Sequence, residues 1–283
     1  MLTMEKRSPS TLPQFAEEVA NVLGGEVKTV ERANGVCYTG ISFASPGITV
    51  APVIYIDDMF KRGLSVTDAV REVASAGIDS VVSKDFSRLR DIADWNVVKE
   101  KLCLRLYNKE TKAEVFRSAA ECGYDDLIIV PYMEDVINNG TSTGSVKVSK
   151  ALLGIWDVSE EEVFAVAEKN ACNRFVVKML KDKLEEAGFY GELPGDNPMA
   201  DVIVVTRNDN MFGAFGAIVL RSVLKAMCPK GYWILPSSVH EVLVMPDRGD
   251  FSKDELDELV RSVNSSAVLP EEVLGDKAYY FAP

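Results

Sequence analysis

The residues of this chain best suited to chemistry fall in one short run. Tyr232-Trp-Ile-Leu-Pro-Ser-Ser-Val-His-Glu-Val-Leu-Val-Met-Pro246 places two hydroxyls, the chain's single histidine and a carboxylate between apolar stretches. Imidazole is the ordinary general base near neutral pH, so base chemistry of that kind must use His240. Ser238 precedes it by two residues and Ser237 by three. An activated serine needs a base beside it and an acid to orient that base. Asp126 or Glu272 would supply the acid. The same string also reads as a turn, with Pro236 fixing φ and both serines bonding nearby backbone. A strand over 239–245 would put His240, Val242 and Val244 on one face and Glu241, Leu243 and Met245 on the other. His240 and Glu241 then point apart. The His-Glu pair cannot begin a zinc helix, because the chain has no second histidine. The serines lack the G-x-S-x-G context of a nucleophile elbow.

Paired carboxylates are the second candidate: Asp57-Asp58, Asp125-Asp126 and Glu134-Asp135. The last two pairs bracket an apolar run over 127–132. Carboxylates at strand ends can hold Mg²⁺ or Ca²⁺, which makes Asp57, Asp58, Asp125 and Asp126 the candidate metal ligands. The bland alternative is a set of solvated ends and helix caps. Thr206-Arg-Asn-Asp-Asn210 follows another apolar run and has the composition of a turn. Gly213-Ala-Phe-Gly216 is too short and too apolar to cradle a phosphate, so no cofactor is expected. The five cysteines show no C-x-x-C spacing and read as reduced thiols.

Composition narrows the classes. The chain has 283 residues, 47% hydrophobic and 26% charged, enough to fill a core. A net charge of −12 disfavours nucleic acid and anionic membranes, both of which select basic surfaces. No apolar run approaches the roughly 20 residues of a membrane helix. Residues 1–10 lack a signal-peptide pattern and read as a disordered leader, and a cytoplasmic location is expected.

The elements that must position these residues come in strand pairs. Apolar spacing predicts a helix over 12–23, ended by Gly24-Gly25. Strands over 26–30 and 36–42 follow, joined by Ala33-Asn34-Gly35. A helix over 66–76, a strand over 102–107, a short helix over 113–120, and strands over 127–132 and 145–155 come next. A long helix begins at Ser159 and carries apolar residues to Leu184. The Gly- and Pro-rich stretch 190–199 reads as a loop or linker between an N-terminal region, 11–189, and a C-terminal region, 200–283. The second region holds strands over 200–206, 232–235 and 239–245, an element over 215–228, and a helix over 253–263. Paired strands without regular alternation favour α+β, with mixed or antiparallel sheets and helices packed against them.

Several strings carry a resemblance. Asn34-Gly35, Pro52-Val-Ile-Tyr55, Asp126-Leu127, Val205-Thr206, Gly216-Ala217, Ile234-Leu-Pro-Ser-Ser-Val-His-Glu241, Val263-Asn264 and Glu271-Glu-Val-Leu274 with Asp276 run nearly end to end. In this the chain resembles a family of uncharacterised bacterial proteins of gut-type anaerobes, known only as a domain of unknown function. Arg207 and Gly275 depart from its pattern, at a Thr-Asn pair and a Leu-Ser-Asp string. The resemblance implies a shared fold and brings no activity, substrate or cofactor. The leading expectation is a binding or interaction protein with a protein or small-molecule partner. Its rivals are a hydrolase using Ser237 or Ser238 with His240, and a divalent-metal binder using the paired aspartates.

Overall fold

The computed structural model describes residues 11–43, 53–75, 92–138, 143–189, 201–236 and 238–283. The chain divides into two compact units, Met1–Ser87 and Arg88–Pro283. The expected leader over 1–10 and the linker over 190–199 lie outside the described residues. The fold class is α+β, and the three sheets among the described residues are antiparallel.

In the first unit, helix α1 (Leu12–Leu23) starts where the Thr11 side chain accepts from the Gln14 N–H. It ends at Gly24, whose φ of 71° suits a residue without a Cβ. Strands β1 (Glu26–Glu31), β2 (Cys37–Ser42) and β3 (Val53–Tyr55) form an antiparallel sheet in that order. Helices α2 (Asp57–Lys61) and α3 (Val66–Ser75) complete the unit. Phe15, Ala16, Val19, Ile41, Ile56 and Val73 fill its core.

The second unit holds two sheets. One is built on β4 (Leu102–Asn108), which pairs with β6 (Leu127–Asn138). The short β5 (Arg117–Ser118) and β7 (Thr143–Lys147) also pair with β6. The other sheet runs β12 (Tyr279–Phe281), β10 (Tyr232–Leu235), β11 (Val242–Pro246), β9 (Ile203–Arg207), β8 (Phe175–Met179). It spans the 190–199 stretch in sequence, since β8 lies before that stretch and its partner β9 after it. Residues 102–107 of β4 are all buried, as expected of a strand covered on both faces.

Several elements differ from the expectation. The helix begun at Ser159 stops early, as α6 (Glu160–Ala171), after α4 (Trp95–Val98) and α5 (Lys150–Trp156). Asn173, at φ 68°, turns the chain into β8. Phe164, Ala167, Ala171 and Phe175 keep helical spacing, but Phe175-Val-Val177 has the β-branched character of a strand and finds β9 as partner. The expected helix over 113–120 is instead β5 followed by a 3₁₀ turn, Ala120–Cys122. The expected strand over 145–155 is the end of β7 followed by α5, which Ser149 caps. The element over 215–228 is helical, as α8 (Gly216–Val219) and α9 (Arg221–Met227), after α7 (Leu180–Glu186). The last helix, α10 (Lys253–Ala267), has a complete capping box between Ser252 and Glu255.

Candidate functional site

The 234–241 string leaves β10 at Leu235, and the next strand begins only at Val242. The expected strand over 239–245 therefore starts three residues late. The reason is where its backbone groups bond. The His240 carbonyl accepts from the Gly213 N–H at 2.8 Å and the Thr206 hydroxyl at 3.1 Å. The Val239 carbonyl accepts from the Ala214 N–H at 3.3 Å. On the other side, the Gly275 N–H donates to the Pro236 carbonyl and the Val239 N–H to the Glu272 carbonyl, both at 2.9 Å. Ser238 and Val273 form an isolated bridge. The strings 234–241 and 271–274, which carry the resemblance, thus lie side by side. Just beyond the second string, Asn264 donates to the Gly275 carbonyl at 2.9 Å.

The His240 ring is engaged at both nitrogens. Nδ1 accepts from the Phe212 N–H at 3.1 Å. Nε2 lies 3.1 Å from Glu272 Oε1. A lone pair at Nδ1 places the proton of the neutral ring on Nε2, the nitrogen that faces Glu272. The Ser238 hydroxyl oxygen accepts from the backbone N–H of His240 at 3.1 Å, a local serine turn. Ser237 lies outside the described residues. Glu241 turns away from the ring and pairs with Lys183 at 2.7 Å. Glu272 thus stands beside the imidazole, whereas Asp126 is held elsewhere. It accepts from the Tyr279 hydroxyl, and its other oxygen lies 3.5 Å from Lys277.

Gly213 makes this junction possible. A Cβ there would come within 2.5 Å of backbone atoms of Thr206 and Arg207. The 213–216 string brings its loop against β9. Phe212, just before it, holds φ at 50°, a region an aromatic side chain rarely enters. Its ring lies 5.0 Å from that of His240 and 3.6 Å over the guanidinium of Arg105.

Arg105 leads to a charge cluster that motif spacing did not disclose. Its guanidinium is stacked between Phe212 and Tyr132, 4.3 Å from the latter ring. Three arginines from three strands or their flanks reach Glu134. Arg105 bonds it at 3.2 Å, Arg174 at 3.2 Å and Arg207 at 2.5 Å. Arg207 also holds Asp209 at 2.7 Å. Arg105 is only 4% exposed and Glu134 16%. Burial pushes the Glu134 carboxyl up, but hydrogen bonds and charge from Arg207 and Arg105 outweigh it and leave it below the ordinary carboxylate range. Burial raises the neighbouring Cys103 thiol to about 12, so it stays protonated. A signal for the cluster existed in Leu102-Cys-Leu-Arg-Leu-Tyr107, where a charge interrupts an apolar strand and demands a buried partner. Adjacency in the sequence groups Glu134 only with Asp135.

The metal candidates already face cations or amides. Lys277 lies 2.7 Å from Asp125 and 3.5 Å from Asp126. Asp57 accepts from the Thr39 N–H at 2.8 Å, and Asp58 pairs with Arg62 at 2.7 Å. Among the described residues no group of three or more His, Cys, Asp or Glu side chains is placed to hold a metal ion. A cleft beside Trp233, bordered by Asp247, Asp250 and Phe251, encloses about 10 Å³, room for one water-sized group. No helix of the described residues is long and apolar enough to cross a membrane.

The second unit is therefore an α+β scaffold in which one histidine joins the 206–214 segment, the turn before β11 and the 269–275 segment. The family model of a family of unknown function, DUF5688, matches residues 12–282, and the chain belongs to that family. Comparison with curated proteins and with solved structures gives no match.

Proposed function

We propose that this protein acts by binding a partner and performs no covalent chemistry at the 236–241 turn. The observation that carries this reading is the double engagement of His240. A base must offer a lone pair to the proton it removes. The Nδ1 lone pair is given to the Phe212 N–H, and Nε2 faces Glu272. The partner is a protein or a small molecule, and the Trp233 cleft itself, at about 10 Å³, admits only a water-sized group. The net charge of −12 favours a partner that is not a nucleic acid.

A hydrolase is the second reading, favoured by the His240–Glu272 pair, which has the form of an oriented imidazole. It requires Nδ1 to leave the Phe212 N–H and meet a serine hydroxyl. Incubation with a fluorophosphonate probe separates the two. Binding without catalysis predicts no covalent adduct in intact-mass spectra. An adduct on Ser237 or Ser238 that disappears in His240→Asn would overturn it.

A further inference from the structure

We propose that His240 is a proton-sensitive catch that holds the Phe212 ring over the Arg105 guanidinium. This goes beyond the binding reading and does not depend on it.

The catch follows from donor and acceptor geometry. Neutral His240 accepts the Phe212 N–H at Nδ1 and faces Glu272 with Nε2, each over 3.1 Å. Protonation makes both nitrogens donors. The imidazolium then binds Glu272 more firmly and stays in place. At Nδ1, however, two N–H groups face each other and the Phe212 bond is lost.

Phe212 is the element that gives way. Its φ of 50° is unfavourable for a side chain with a Cβ and persists only while its surroundings impose it. The turn before it is held by the Met211 N–H on Asp209 at 3.1 Å and the Asn210 N–H on the Arg207 carbonyl at 3.0 Å. The turn after it is held by the Gly213 N–H on the His240 carbonyl. Phe212 therefore pivots between two fixed points, and the bond to Nδ1 fixes its own amide. Once released, its ring leaves the face of Arg105, which is 4% exposed while covered.

The charged groups around the ring are assigned to partners. Glu272 comes from the 270–272 turn and faces Nε2. Glu241 follows in the chain and is paired with Lys183 of α7. Arg105 of β4 lies beneath the Phe212 ring and is bonded to Glu134 of β6. Arg207 of β9 is shared between Glu134 and Asp209. Glu272 is thus the carboxylate placed to retain the imidazolium. With Arg105 bonded to Glu134, the His240 ring is the group whose titration touches the Phe212 amide.

The test is amide hydrogen exchange on the whole protein labelled with ¹⁵N-phenylalanine, from pH 7.5 to 5.5. Protection factors, corrected for intrinsic exchange, are compared for Phe212 and for Phe164, a buried reference in α6. The expected result is a Phe212 protection factor that falls by up to tenfold per pH unit toward the acid end of that range. Phe164 stays constant. In His240→Asn, whose amide oxygen can accept the same N–H without titrating, Phe212 protection becomes independent of pH. A flat profile for Phe212 in the unmodified protein overturns the catch. A fall that persists in His240→Asn, or that Phe164 shares, also overturns it.

Discussion

The backbone N–H of Phe212 donates to Nδ1 of His240 across 3.1 Å, so the chain's single imidazole accepts from one loop while it faces the Glu272 carboxylate of another. That bond ties the 206–214 segment to the 236–241 turn, and Glu272 ties the turn to the 269–275 segment. The role of His240 is set by these two attachments, with the hydroxyl of Ser238 spent on the histidine's own amide.

Glu134 is the carboxylate on which the buried arginines depend. Glu134→Gln leaves Arg105, Arg174 and Arg207 facing one another with their shared charge gone. Loss of one partner from a buried ion pair typically costs about 3–5 kcal/mol. The lower end is expected here, because Glu134 keeps 16% exposure and Arg174 keeps 31%. Urea denaturation at pH 7 measures it. The sign with pH is also set. The folded Glu134 carboxyl lies below its ordinary value of 4.5, so its contribution is fully present above that value. It is lost as pH falls through the lower, folded value. The urea midpoint of the unmodified protein should therefore drop more steeply below pH 4.5 than that of Glu134→Gln.

Two glycines should respond in opposite directions. Gly213→Ala places a methyl within 2.5 Å of backbone atoms of Thr206 and Arg207, which cannot swing aside. Overpacking of this kind costs about 1–3 kcal/mol, and here it also pushes on the His240 carbonyl bond. Gly154 lies inside α5, and a Cβ there meets nothing within 4 Å. Gly154→Ala should stabilise by about 0.5–1 kcal/mol. Thermal melting of the two variants checks the contrast, and equal shifts would refute the packing argument.

The cysteines should separate by environment. Cys103 is buried, with its thiol raised to about 12, whereas Cys37 and Cys172 are exposed. Iodoacetamide at pH 8 should alkylate Cys37 and Cys172 first and reach Cys103 only after denaturant is added. Peptide mass mapping over time reads the order. Early alkylation of Cys103 would show that β4 is open.

Much of the fold was legible because local signals agreed with tertiary ones. The helix over 12–23, the strand pair around Ala33-Asn34-Gly35, the strand over 127–132 and the Ser252 cap all appear where capping, turn and periodicity rules place them. The long helix from Ser159 failed because spacing cannot separate a helix face from a helix followed by a buried strand. Asn173 and the β9 partner decide that, and only one of them is local. The site was legible in part. Residue type points to His240 with either Asp126 or Glu272; Glu272 lies 3.1 Å from the ring, and Asp126 is bonded to Tyr279 instead. Phe212 and the three arginines were hidden, because their meeting depends on the sheets that bring β4, β6 and β9 together. The turn that replaced the start of the 239–245 strand was hidden for the same reason: its hydrogen-bond partners come from residues 206, 213, 214, 272 and 275.

The most direct test is the ¹⁵N spectrum of the imidazole at neutral pH. The chain has one histidine, so ring-labelled protein reports His240 without assignment. A structural hub bonded as described predicts a neutral ring protonated at Nε2, with a pyridine-type Nδ1 coupled to no proton. A ring protonated at Nδ1, with Nε2 free, would contradict the account and restore His240 as an available base.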